Sequence, residues 1–254
     1  MNLAAVCARC DVSGRRCAAC NGLTGKAWSW VGDDKDRAFC PACAKGARCD
    51  TCSAPVAAST VPIADGRRFC RPCSTAGVFD ARRLWPLAEE AREWMRSALA
   101  MPLENFSRCE LVLVDRRAFG VPGFFDKLMG AVPSPRAGDF SCSVMTQGRT
   151  RTLERVRVRV LSGHSDSATR LILAHELTHL WQAEQALRDD TVLREGHAVW
   201  VEHQLATRRG ETGLARRLEA STDPVYGGGF RTVRAMLSPF PPHQAACVMA
   251  RRLA

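Results

Sequence analysis

No apolar run in this sequence approaches the 18 or more residues of a membrane-spanning helix, so no membrane role is expected. The opening "MNLAAVCARC" has no positive segment followed by an apolar stretch, and no secretory leader is expected either. Lysine is scarce, 4 residues against 32 arginines, a bias for which we have no functional account. Tyrosine occurs once, at Tyr226, and histidine is absent before His164. Any metal site in the first 163 residues must therefore draw mainly on cysteine. Acidic runs are missing too. Global disorder is excluded by a hydrophobic content of 46% and a charged content of 24%, both ordinary for globular chains.

The formal charge of +10 would suit a nucleic-acid partner, but its distribution does not. Residues 1–80 carry 11 basic and 7 acidic side chains, a surplus that eight thiolates bound to two zinc ions would cancel. The remaining 25 basic and 19 acidic residues are scattered. Trp28 and Trp30 do not make an aromatic-interleaved basic stripe, so no nucleic-acid partner is expected.

Cysteine is what the chain has in excess. Ten of its 13 cysteines lie in the first 73 residues, all as Cys-x-x-Cys: Cys7/Cys10, Cys17/Cys20, Cys40/Cys43, Cys49/Cys52 and Cys70/Cys73. That spacing suits tetrahedral zinc held by thiolates, and thiolates persist in a reducing, cytoplasmic setting. The layout from Cys7 to Cys40 recurs from Cys40 to Cys70, a pair, a short gap, a pair and a long spacer. Joining pairs across the long spacers places one zinc on Cys17, Cys20, Cys40 and Cys43. A second falls on Cys49, Cys52, Cys70 and Cys73. Cys7 and Cys10 are left over as free thiols or the stub of a further module, unless they pair with Cys17 and Cys20 in the other register that spacing allows. The spacers "AWSWV" and "ASTVPIADGRRF" carry hairpin signals.

The layout is similar to a LIM domain, two tandem zinc modules used for protein contacts. It departs from that pattern in having no early histidine and five residues, "AKGAR", between modules. A LIM-like module over 1–77 is expected, with scaffolding or protein docking as its role. A connecting amphipathic helix is expected over 78–102, where Leu87, Ala91, Trp94, Met95, Ala98 and Leu99 recur at helical spacing.

Residues 103–254 read as a mainly helical domain with a small sheet, giving an α+β chain overall. "CELVLVDRRAF" predicts a buried strand, and a Gly- and Pro-rich loop follows through "GVPGFFDKLMGAVPSPRAGDF". "RVRVRVL" alternates, with valines toward a core and arginines outward, on an exposed strand or on an edge strand beside a cleft. Cys109, Cys142 and Cys247 read as small buried side chains. Two helices follow: "SDSATRLILAHELTHLWQAEQ", with a Ser or Asp cap, and "DDTVLREGHAVWVEHQLATRRG", closed by Gly210.

On the first of these helices His175 and His179 stand four apart, so their imidazoles converge on one point. Glu176 reaches that point without being a ligand. Burying two histidines and a glutamate among leucines is costly unless something binds them. A catalytic zinc needs a third protein ligand and an open position. The second helix offers Glu195, and Gly196 beside it would let the two helices approach closely. Glu202 and His203 lie two turns on, favoured as a solvated or supporting pair, and His197 ranks below Glu195. Tyr226, between Asp-Pro and three glycines, is a candidate oxyanion donor. His243 is a weaker one.

With these stretches located, the chain resembles the plant organ-size-limiting DA-one peptidases and their bacterial relatives. These carry LIM-type modules before a zincin (gluzincin-like) peptidase domain. "LVLVDRRAF", "LILAHELTHLW", "REGHAVWVEHQLA" and "DPVYGGGFR" carry the resemblance, in that order. It implies one catalytic Zn2+ on His175, His179 and Glu195, with Glu176 as base, besides two structural Zn2+, and a protein or peptide substrate. The plant members use acidic ubiquitin-interacting helices, which this chain lacks, so ubiquitin dependence is not expected. The competing expectation is a non-catalytic zinc-binding adaptor that recruits a protein partner.

Overall fold

A computed structural model describes residues 16–24, 29–31, 34–119, 137–148 and 150–253. Packing divides the chain into two compact units, one ending at Gly77 and one starting at Val78. Cys7 and Cys10 lie outside the described residues.

In the first unit the sequence repeat is a structural repeat. Each Cys-x-x-Cys knuckle turns back on itself. The Cys17 N–H donates to the Gly22 carbonyl and the Cys49 N–H to the Ala54 carbonyl, both at 2.8 Å. The residue after each knuckle, Asn21 or Ser53, takes a left-handed conformation near φ +60°. The later pair of each module opens a short helix. Helix α1 (Pro41–Lys45) starts after Cys40, and α2 (Arg71–Ala76) starts after Cys70. Proline in the first turn of each costs no hydrogen bond there. Strands β1 (Ser29–Val31) and β2 (Asp34–Phe39) pair in the first spacer as an antiparallel ladder. The second spacer, expected to form a hairpin as well, has no ladder. It closes instead on a turn in which the Ile63 N–H donates to the Arg67 carbonyl, and Pro62 has no N–H to offer a ladder.

The second unit has a single large core. Helix α3 (Leu84–Leu99) buries Leu84, Leu87, Ala91, Met95 and Leu99. These residues share one core with α4 (Asp166–Glu184) and α5 (Thr191–Arg208), so the helix expected as a connector belongs to this unit. The sheet holds β3 (Glu110–Val114), β4 (Gly138–Gln147) and β5 (Thr150–Leu161), in the order β3-β5-β4. β3 is parallel to β5, and β4 is antiparallel to it. Three short helices, α6 (Thr212–Glu219), α7 (Tyr226–Leu237) and α8 (Ala245–Leu253), complete the unit.

Several expectations change here. β5 is the central strand, so it is not the edge beside a cleft, but its outward face is solvated as the alternation suggests, with Arg155 and Arg157 exposed. Val156, Val158 and Val160 are buried, while Arg157 pairs with Glu110 and Arg159 with Asp139 on the neighbouring strands. Among the described residues the edge is β4, whose first residues fall inside the stretch read as a loop. β3 is half-buried rather than buried, because it is the other edge. Cys109 is buried, but Cys142 is only partly so and Cys247 is exposed. No helix among the described residues is long and apolar enough to cross a membrane.

Candidate metal centres

Two groups of four thiols form in the first unit: Cys17, Cys20, Cys40 and Cys43, and Cys49, Cys52, Cys70 and Cys73. Within each group the sulfurs lie within 4.8 Å of one another. The register that would pair Cys7/Cys10 with Cys17/Cys20 is not the one adopted, since Cys17/Cys20 faces Cys40/Cys43. Cysteine is the donor zinc prefers in a closed four-coordinate site. The knuckles also favour thiolate. Burial opposes charge on Cys17, yet N–H groups of Cys20, Cys40 and Ala19 hold it down at about 6. Around Cys49 the Cys52 thiol and the N–H groups of Cys52, Cys70 and Thr51 hold it at about 4. The fourth corners of each group respond oppositely: burial, then the neighbouring sulfurs, raises Cys43, and Cys73 rises to about 12. A dication removes that conflict by binding all four sulfurs as thiolates.

The third group is built by two helices. Ser165 caps α4 by accepting from the Ala168 N–H at 3.3 Å, and Asp190 caps α5 by accepting from the Leu193 N–H at 3.0 Å. These caps define where each helix starts, hence which way every later side chain points. His175 and His179 project from α4, and Glu195 projects from the first turns of α5. Their donor atoms lie within 4.8 Å of one another. Glu195 Oε2 stands 3.2 Å from His175 Nε2 and 3.4 Å from His179 Nε2.

The other ring nitrogens are held as well. His175 Nδ1 lies 3.4 Å from Glu202 Oε2, and His179 Nδ1 lies 2.9 Å from Gln182 Oε1. Both Nε2 atoms are thus turned toward the common point. Metal-binding histidines are typically fixed in this way by a carboxylate or carbonyl on the opposite nitrogen. Burial works against charge on His175, but Glu195 and Glu202 outweigh it and hold the ring up at about 10. Burial also opposes charge on Glu195, yet the two imidazoles hold its carboxyl well below the usual range. Two imidazoles and one carboxylate suit zinc, and with three protein donors a fourth position remains.

Glu176 stays out of this group. Its side chain is buried against Gly138, where an added Cβ would come within 2.7 Å of Glu176 Oε1 and of Ile172 Cγ2. A glycine at the start of β4 therefore makes room for this carboxylate. Burial raises the Glu176 pKa. His175 and His179 pull it back, and Glu195 and Asp139 push it up.

Tyr226 opens α7 with its ring 6.3 Å from the His175 ring. Its N–H donates to Asp223 Oδ1 at 2.8 Å, as does that of Val225, so Asp223 caps this helix. His243 sits exposed in the turn Pro242–Gln244 on α3, and no described contact joins it to the histidine group. His203 is buried against Phe230 and pairs with Glu219 at 3.0 Å. His197 is fully buried between Trp181 and Trp200 and is no part of the donor group. Sequence reasoning missed Gln182 and Gly138. It gave Glu202 only a generic supporting role.

Gly196 does permit a close approach, but to a different helix than expected. An added Cβ would lie 2.3 Å from the Gly229 carbonyl carbon on α7, and a Cβ at Gly229 would lie 2.3 Å from the Val192 carbonyl oxygen. One residue on a helix is a turn of about 100°, so Glu195 faces α4 while Gly196 faces α7. Gly196→Ala is expected to force α5 and α7 apart and to cost on the order of 3 kcal/mol. A fall in the urea midpoint of the helical signal of the full chain would show it. An unchanged midpoint would mean that the helices yield without cost.

Compared with protein-family models, curated proteins and solved structures, the chain matches none.

Proposed function

We propose that this protein is a zinc-dependent endopeptidase, related to the DA-one peptidases, with an N-terminal LIM-like module for docking proteins. One observation carries the reading. His175, His179 and Glu195 converge through the very atoms zinc would need, while a fourth carboxylate, Glu176, is buried beside them and outside the group. A site that only held structure would have no use for that extra buried acid.

Zinc held there supplies Lewis acidity and brings the pKa of water near neutrality. The chain's own residues do the rest. Glu176 takes the proton from the attacking water and returns it to the departing amine, a role that its raised pKa favours. Tyr226, beside His175, offers a hydroxyl toward negative charge developing on the carbonyl oxygen. β4, the sheet edge that starts with Gly138 beside Glu176, can align an extended peptide by main-chain hydrogen bonds. In the first unit, the repeated knuckles and their paired four-cysteine groups support two structural zinc ions.

Metal analysis combined with one variant tests the assignment. We expect three zinc ions per chain, and two after Glu195→Ala, with both cysteine sites still filled. Three zinc ions retained in that variant would remove Glu195 from the ligand set. A protein with three zinc ions and no hydrolysis of any peptide in a mixed library would be the adaptor instead.

A further inference from the structure

The amide of Gln182 is held at both ends close to the histidines. It is 1% exposed. Its Nε2 donates to the Arg194 carbonyl oxygen at 2.9 Å and faces His197 Nδ1 at 3.3 Å. Its Oε1 accepts from Arg194 Nε at 3.3 Å and faces His179 Nδ1 at 2.9 Å.

An amide can be placed either way round, so its orientation has to be argued from its neighbours. Here two neighbours are unambiguous. A backbone carbonyl only accepts, so the atom facing the Arg194 oxygen is the NH2. A guanidinium N–H only donates, so the atom facing Arg194 Nε is the oxygen. Both references come from one residue, on opposite sides of the amide, and they agree.

The histidine tautomers follow. Oε1 accepts only, so His179 Nδ1 keeps a proton whether the ring is neutral or charged, and Nε2, on the Glu195 side, is the nitrogen that can give up its proton to bind a metal. With the amide reversed, an N–H would face Nδ1. The proton would then move to Nε2, where it would block a metal. His197 completes the arrangement. Its Nδ1 accepts the second N–H of Gln182, which requires the Nε2–H tautomer, and Nε2 has no hydrogen-bond partner among the described residues. A buried N–H without an acceptor is unfavourable, so the ring is held there, between two tryptophans, for what its other nitrogen does.

We propose that Gln182, oriented by Arg194 and His197, is a positioning residue that commits His179 to its metal-binding tautomer before any metal arrives. The proposal rests on the zinc reading of the His175, His179 and Glu195 group. It gives that group a ready-made lone pair and gives the buried His197 a purpose.

The test uses the full chain. In the metal-free protein at pH 8, nitrogen-15 shifts of the His179 ring should show Nδ1 protonated. A neutral ring with a bare Nδ1 overturns the proposal without any substitution. Gln182→Leu should weaken zinc binding at the non-cysteine site about 10- to 100-fold in chelator competition, leaving both cysteine zinc ions in place. Gln182→Glu keeps an acceptor for the Nδ1 proton but sets its second oxygen against the Arg194 carbonyl, so it should recover only part of that loss. Equal affinities for parent and Gln182→Leu would refute the positioning role. A parent chain that binds only two zinc ions would refute the zinc reading itself, a separate result.

Discussion

Glu176→Gln is expected to leave three zinc ions per chain while cutting peptide hydrolysis by about 10²- to 10⁴-fold. The substitution keeps shape and volume in a cavity bounded by Gly138 and Ile172. It removes only the ability to take a proton, since an amide nitrogen has no lone pair free for that work. Metal content should not change, because Glu176 is not among the converging donors. On the proposed reading, the site also suits a carboxylate to the role of base. Burial lifts its pKa, while two imidazoles restrain the rise. Peptide turnover measured beside zinc content decides the matter. A variant that cleaves as fast as the parent has another base, and one that loses its third zinc had Glu176 as a ligand.

Zinc removal should have opposite consequences for the two units. The first has little to hold it together without metal. Its two small cores centre on Phe39 and Phe69, the residues just before Cys40 and Cys70, surrounded mostly by the cysteines themselves. Structural zinc contributes on the order of 10–16 kcal/mol of apparent binding free energy in small zinc folds, far more than such cores can supply. The second unit buries Leu84, Met95, Leu173, Leu177, Leu180, Val201 and Phe230 in one continuous core. After chelation, amide hydrogen exchange should become fast across residues 34–77 and stay slow in α4 and α5. Protection that persists in the first unit would show that it folds without metal. Loss of protection in both together would show that the third site also holds the second unit.

The glycine contacts explain why the histidine site sits among α4, α5, α7 and β4 rather than between two helices. α5 meets α4 through Glu195 and α7 through Gly196, and α7 carries Tyr226 back toward His175. "DPVYGGGFR" is thus a helix start in which Asp223 caps, Tyr226 approaches the site and Gly229 admits α5. Gly227 adds a further close approach, since a Cβ there would fall 2.1 Å from the Ser221 carbonyl oxygen.

What the sequence determined alone were features with a short period. Cys-x-x-Cys knuckles, the four-residue step from His175 to His179, a Ser or Asp cap on α4, the closing Gly210 of α5 and the alternating valines of β5 each depend on geometry within one turn or one strand. Relations between distant segments had to wait for the fold. The edge role of β4 instead of β5, the meeting of Gly196 with Gly229, the carboxylate space at Gly138 and the amide of Gln182 all depend on which surfaces pack together. That choice is made by the whole core at once, because a helix or strand pattern says which face is apolar but not which neighbour will cover it.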